Sequence, residues 1–533
     1  MKSIRPVAAI SIALVGALSL AGCAGVNQEP ISIGVGTYFT TIDPAGSWNI
    51  SDQEIMHQVY TPIFNSLPGD VELQGEIAES WEFESEKVFV VKLKDGLTFA
   101  NGNQLDSSDV VFSFDRLRGI ASPAGPVGLI SNIESVVARD NLTLEYNLKV
   151  VNDQSLMALL SSVASLVVDE EVFPAGELLA NQAIVDAQAF SGQYVINSIK
   201  QDEFVSYVPN PGYKGLLGTA KNSGVVMRYF ADISNLVLEG KNGNLDVVMG
   251  WRSLDSQATT ELQQGGYTLV KGVGVEPNFL ALDFRNMPFG TETRDADPAK
   301  ALAVRQALAH VIDKRSFADN AHFGTASIAT SIVPTAIPGS YDAMTALYGD
   351  GQGGPSLDRA EEALASAGIT GPLDLEIAYS PDRYGASVIE QVIDLADQLN
   401  ESGLFSVSLK AMEWSAFREA RTNGQLASWH QTWGPDYTEV DNYVTPLIRS
   451  DLNFIRGAYV NTEVDALIYA QLSEPDFAKR SEILKQIQEQ LALDLPAIPM
   501  LSTDRFALVK SGISGVAETF DVSYKFRLGK ISR

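Results

Sequence analysis

Hydrophobic and polar positions alternate over several short stretches of the chain and recur at helical spacing over others. Ile31-Ser-Ile-Gly-Val35, Val88-Phe-Val-Val-Lys-Leu93, Leu142-Thr-Leu-Glu-Tyr-Asn-Leu148, Phe204-Val-Ser-Tyr-Val208 and Asn278-Phe-Leu-Ala-Leu-Asp283 read as strands. Gly243 to Gly250 reads as a further strand that ends at Trp251-Arg252. Ala299 to Ile312 reads as a helix with Val304, Leu308, Val311 and Ile312 on one face. Phe477 to Leu493 reads as another, with Leu484, Ile487 and Leu491 turned inward. Leu373 to Ile377, a helix carrying Val388, Ile389, Val392, Ile393 and Leu399, and Val407 to Ala411 make a β-α-β run, which predicts a covered parallel sheet. The chain thus begins and ends in alternating strand and helix patterns, with an extra lobe between them.

The segments between these elements carry the local signals. Trp81-x-Phe83, the strand through Leu93, an Asp95-Gly96 turn and a helix near Asp109 to Phe114 form one unit, with Asp106 placed to cap the helix and Asp109 favourable in its first turn. Gly272 to Pro277 is a glycine-rich connection suited to a change of backbone direction. Asp350 to Pro355 is also glycine-rich and reads as a mobile loop; no Lys-Ser or Lys-Thr follows it and no strand precedes it, which argues against phosphate binding. The densest chemistry lies in Trp429-His-Gln-Thr-Trp433-Gly-Pro-Asp436-Tyr437, with two of the six tryptophans, one of the four histidines and a carboxylate. Gly434-Pro435 forbids a regular element there, so both indoles and Asp436 are expected on a sharp turn. Flat apolar faces beside one charge suit an amphipathic ligand; equally, the tryptophans could plug the core beneath a loop that Asp436 caps. Trp251, just past a strand end, suits a cleft wall or the core rim.

The N-terminus changes the picture of where the chain resides. Lys2 and Arg5 precede an apolar run, Val7 to Leu20, that is too short to span a bilayer, and Leu20-Ala-Gly-Cys23 follows. That tetrapeptide resembles a bacterial lipobox, in which the signal is cut before the cysteine and the thiol carries diacylglycerol. Cys23 is the only cysteine in the chain. Residues 1–22 are therefore expected to be a signal peptide and 23–30 a lipidated tether holding the protein on the outer side of the membrane.

At 533 residues there is room for roughly three domains, and 45% apolar with 20% charged residues marks a globular chain. The formal charge of −28, which becomes −30 once Lys2 and Arg5 leave with the signal, excludes nucleic acid as a partner and keeps the body off an anionic lipid surface. No cofactor or metal site is expected: His57, His310, His322 and His430 are scattered, and no second cysteine exists. There is no Gly-x-Ser-x-Gly elbow, which leaves no recognisable catalytic constellation.

Taken with their flanks, the residues around Asp436 resemble a known family. Trp433-Gly-x-Asp436-Tyr437, Asp441-Asn442, Tyr459-x-Asn461-x-Glu463-x-Asp465, Asp494-x-Pro496-x-Ile498-Pro499 and the Trp81 to Phe114 unit are together similar to the peptide-binding receptors of ABC importers, solute-binding family 5. The resemblance implies an α/β, two-lobed periplasmic-binding-protein-like fold with an additional accessory domain. Lobe I would comprise 31–60, 191–275 and 500–533, the accessory domain 61–190, and lobe II 276–499. It implies a monomeric receptor that takes a peptide ligand and delivers it to the transmembrane permease, with no enzymatic activity. It further implies that Asp436 receives the ligand's α-ammonium, that Trp433 and Trp429 wall the pocket beside Tyr437 and Trp251, and that the loop after the first strand brings Tyr38 and Phe39 to the ligand. Hinges would lie at Gly272–Pro277 and Pro496–Pro499. Pro435 replaces the family's usual small residue and Asn101 a usual aspartate. Oligosaccharides and nickel chelates are alternative ligands on the same fold, and a secreted hydrolase or an extracytoplasmic chaperone are alternatives of other classes.

Overall fold

The computed structural model describes residues 29–321, 324–520 and 525–533; Cys23 and its lipobox lie outside them, as does His322. Ile31–Val35 is buried on nearly every position, as a strand covered on both faces requires. It pairs in parallel with Val225–Tyr229 and Val247–Met249 at the centre of a seven-stranded sheet. The sheet runs Tyr267–Lys271, Phe506–Lys510, Val247–Met249, Ile31–Val35, Val225–Tyr229, Phe204–Pro209, Tyr194–Lys200, so chain segments from the start, the middle and the end build lobe I together.

Lobe II is a six-stranded sheet in the order Ala326–Ile328, Ala497–Thr503, Glu276–Leu282, Ser428–Thr432, Leu373–Tyr379, Phe405–Ala411. The last two are parallel and joined by the helix Ala386–Glu401, as the β-α-β pattern predicted, but the sheet as a whole is mixed. On that helix Val388, Val392 and Leu399 are buried, whereas Ile389 and Ile393 face outward. The helices Pro298–Val311 and Phe477–Asp494 bury the faces their apolar spacing marked.

A four-stranded antiparallel sheet, Ala78–Ser85, Val88–Leu93, Thr143–Leu148 and Ile133–Asp140, forms the core of a third body with the helix Ser107–Ile120. That helix starts in a capping box: Asp106 accepts from Ser108 N and Asp109 accepts from Asp106 N. The Asp350 loop, expected to be mobile, is pinned instead. Its carboxylate accepts from Gln352 N and Gly354 N and pairs with Arg315 at 2.7 Å.

Among the described residues the chain passes between the lobes twice. The first passage is 272–275, between Tyr267–Lys271 and Glu276–Leu282, as the glycines there suggested. Gly272 runs so close to Phe520 that an added Cβ would stand 2.2 Å from that residue's own Cβ. The second passage is Asp504-Arg505, which corrects the expected hinge at Pro496–Pro499 and extends lobe II past residue 499. Ala497–Thr503 continues as a lobe II strand because Pro499 falls at an irregularity in its pairing with Glu276–Leu282, where a missing N–H costs the ladder little. Lys271 and Asp504, one at each passage, pair at 3.3 Å. Among the described residues no helix is long and apolar enough to cross a membrane.

Candidate functional site

Two segments from opposite lobes meet in the cleft: 36–49, which follows the first strand of lobe I, and 433–440, which follows Ser428–Thr432 of lobe II. Trp429 belongs to that strand and not to the turn, so the expectation that it walls a pocket is corrected. Its indole is fully buried in the lobe II core, and Nε1 donates to Gln431 Oε1 at 3.0 Å. The alternation of the strand sends it inward before Gly434 and Pro435 release the chain.

Trp433 starts the turn. Its main-chain N–H donates to Pro277 O at 3.1 Å, its ring meets Phe454 edge-to-face at 5.2 Å, and its buried Nε1 has no hydrogen-bond partner. Asp436 follows Pro435 and is itself buried. Its main-chain N–H donates to Asn442 Oδ1 at 2.9 Å, Asn442 Nδ2 donates back to Oδ2 at 3.3 Å, and Trp48 Nε1 of lobe I donates to Oδ1 at 2.5 Å. Burial pushes this carboxyl up to about 7, against the pull of the hydrogen bonds from Trp48 and Asn442. The carboxyl is thus held by neutral donors, Trp48 and Asn442. Tyr437 turns its ring into the core of the third body, tying the turn to it.

On the facing segment Tyr38 is exposed, at 58% of its surface, and free to meet a ligand. Phe39 is not: it is wholly buried, its ring 4.9 Å from that of Tyr229 in the lobe I core, which corrects the expectation that it reaches the ligand. The backbone alternates here, so only one of the two adjacent aromatics can point outward.

Trp251 sits at the back of the cleft. Its Nε1 donates to Glu276 Oε2 at 2.6 Å, and the guanidinium carbons of Arg252 and Arg505 lie 4.3 and 4.5 Å from the indole. Arg252 pairs with Glu276 at 2.6 Å and Arg505 with Glu54 at 3.1 Å. Trp251, Arg252 and Glu276 line, with Asn278, Tyr384 and Thr432, a pocket of about 440 Å³ including its open mouth. Asp436 lies four residues beyond Thr432, outside this pocket's lining.

Sequence reasoning missed Trp48, Asn49 and Arg383. Trp48 contacts Asp436 as above, and Asn49 Oδ1 accepts from Arg383 Nη1 at 3.0 Å across the cleft. A usable signal was present: Trp48 is one of six tryptophans and ends the loop after the first strand. Asp109, Asp169 and Glu171 are close enough to hold a cation, but Asp169 already accepts from Asn101 at 2.7 Å and from Asn103, and Asp109 accepts from Asp106 N in the capping box. Asn101, where an aspartate was noted as usual, thus donates to a buried carboxylate.

Residues 72–453 match the family described as bacterial extracellular solute-binding proteins, family 5. The chain belongs to this family. Across 525 residues, 95% of each chain, it is 22% identical to the glutathione-binding protein GsiB of Escherichia coli (strain K12). Its fold is shared with the ABC transporter substrate-binding protein CtaP from Listeria monocytogenes, at TM-score 0.77 and 21% identity over 94% of this chain and 99% of that one. The fold also matches a dipeptide-binding protein from Pseudoalteromonas sp. SM9913 in complex with Met-Leu, at TM-score 0.73 and 18% identity over 95% of this chain and all of that one. Family 5 proteins are two-lobed receptors of ABC importers, so the fold class and the class of function agree with the sequence reading.

Proposed function

We propose that this protein captures peptides between its lobes, with Asp436 receiving the α-ammonium group, and passes them to its permease while tethered to the membrane through lipid on Cys23. It does so as a monomer and without chemistry on the ligand. The observation that carries the reading is the Asp436 carboxyl where the two lobes meet, bonded by Trp48 and Asn442 and pushed up to about 7 by its burial. A ligand ammonium would offset that burial and favour the ionised form, which selects for a positive charge at this point. Tyr38 on the rim and Trp251 at the back of the pocket offer aromatic surface for side chains with little selectivity, while Trp433, packed in the lobe II core, supports the turn from beneath. The names of the similar proteins, a glutathione-binding and a dipeptide-binding receptor, support a short peptide.

Calorimetry with a free-amine peptide and the same peptide N-acetylated tests this. A charge-assisted hydrogen bond contributes about 1.5–3 kcal/mol, and about 1.4 kcal/mol is one decade in affinity. Asp436→Asn should therefore weaken the free-amine peptide about tenfold or more and leave the already weak acetylated one nearly unchanged. Equal binding of both peptides to the wild type refutes the ammonium anchor and favours an oligosaccharide.

A further inference from the structure

The pocket at the back of the cleft has two unlike sides. Lobe I supplies Trp251 and Arg252, and lobe II supplies Glu276, Asn278, Thr432 and Thr503. The lobe II side is one face of a sheet: Glu276 and Asn278 are two apart on their strand, Asn278 stands opposite Thr432, and Glu276 opposite Thr503. Three of these four polar groups are committed. Glu276 accepts from Trp251 Nε1 and pairs with Arg252, both at 2.6 Å. Asn278 Nδ2 donates to Thr503 Oγ1 and to Glu276 O, each at 3.3 Å. The fourth, Thr432 Oγ1, is buried and has no hydrogen-bond partner. A hydroxyl in that condition costs free energy that a bonded partner would recover. The same pocket is bordered by Ser387, in the first turn of the helix Ala386–Glu401, whose N-cap is Gly385 and whose first amides therefore receive no side-chain cap.

We propose that this pocket selects an uncharged, hydrogen-bonding side chain, a carboxamide above all, on one of the first three residues of the peptide, with Thr432 as the residue that reads it. The proposal rests on the ammonium reading above for its register along the peptide, not for its chemistry. The charges of the lining are matched within the protein, Arg252 with Glu276 and Asp504 with Lys271 at 3.3 Å. A charged side chain entering here must break one of these pairs or stay unmatched in a half-enclosed site. A carboxamide disturbs neither pair, and it brings an acceptor oxygen and two N–H donors to the Thr432 hydroxyl and the start of the helix. An aliphatic side chain covers the hydroxyl and gives it nothing to bond. The aromatic side of the pocket is thus unselective, and the polar side is not. Reach agrees with this register. Asp436 follows Thr432 by four residues, so the two are at most about 14 Å apart; a glutamine side chain spans about 5 Å of that, which leaves a backbone stretch of about three residues.

Calorimetry on the full chain, with glutamine, glutamate, lysine or leucine placed in turn at each position of trialanine, tests this. At one position glutamine should bind about fivefold tighter than each of the others, the worth of one neutral hydrogen bond. Thr432→Val keeps the branched shape and removes the hydroxyl, and should bring glutamine level with leucine at that position. Thr432→Ser retains a hydroxyl and should preserve the preference. Any of the other three side chains binding as tightly as glutamine at every position, or a glutamine preference unchanged in Thr432→Val, overturns the proposal. N-acetylating the preferred glutamine peptide reads the ammonium anchor separately: undiminished affinity sinks that reading, while the ratio of glutamine to leucine still judges the pocket.

Discussion

Asp436 meets the solvent pH in a way few surface carboxylates do. Its ordinary value of 3.8 is raised to about 7 by burial, so between those values the folded protein holds a proton that the unfolded chain has released. The stability this contributes is complete below about 4 and is lost as the pH rises through about 7. Ligand binding runs the opposite way, since an ammonium needs the ionised carboxylate. Affinity for a free-amine peptide should therefore fall as pH drops below 7, by up to about tenfold per unit, and Asp436→Asn should flatten the profile. Calorimetry at about pH 8, 7 and 6 checks this; a wild-type profile as flat as the variant's contradicts it. At this scale the turn that carries Asp436 was legible because Gly434-Pro435 breaks the strand locally. Trp48 was not, since its partner is 388 positions away and nothing in either neighbourhood names the other. Trp429 and Phe39 were misjudged for a simpler reason: residue type shows that an aromatic matters but not which side of its strand or loop it faces.

Among the elements, the helix Ser107–Ile120 is joined to the loop after the first strand by a fully buried ion pair. Arg116 donates to both oxygens of Asp43, at 2.7 and 2.6 Å, and also to Pro174 O and Glu177 O. Asp43 in turn accepts from Leu179 N and Ala45 N. Asp43→Ala leaves the guanidinium buried without its counter-charge and should destabilise the fold by about 3–5 kcal/mol in urea titration, whereas a loss under about 1 kcal/mol would show that solvent reaches Arg116. Asp106→Ala, which removes only the cap of the same helix, should cost about 1 kcal/mol by the same measurement. The cap was readable from Asp106 and Asp109 because capping is local. The ion pair was not, since Asp43 and Arg116 lie 73 positions apart. The misplaced second passage has a comparable origin: Pro496 and Pro499 read as breakers, yet an irregular position lets Pro499 stay within a strand that runs on to Thr503.

For the molecule as a whole, the two-lobed plan was readable through the combined motifs, while the closeness of the lobes depends on contacts that exist only after folding. Anchoring is a separate whole-molecule property. With a formal charge of −28 the body has no electrostatic reason to stay at an anionic membrane, so retention should rest on Cys23 alone. Cys23→Ala should move the protein out of the membrane fraction on cell fractionation; retention at wild-type levels would mean another anchor. The two passages between lobes have a further consequence, for the order in which structure can form. Phe506–Lys510 lies inside the lobe I sheet, between Tyr267–Lys271 and Val247–Met249, and Arg533 pairs with Asp246 beside it. Lobe I therefore cannot be completed until Phe506–Lys510 has been made, whereas lobe II, from Glu276 to Thr503, is contiguous and closes on itself. Pairings that join distant segments form late, because the intervening chain must first be brought together. In refolding followed by pulsed hydrogen exchange, amides of Glu276–Leu282 and Ala497–Thr503 should gain protection before those of Ile31–Val35 and Phe506–Lys510. The largest sheet is thereby kept open until Phe506–Lys510 has crossed back to join it, a delay written into the strand order.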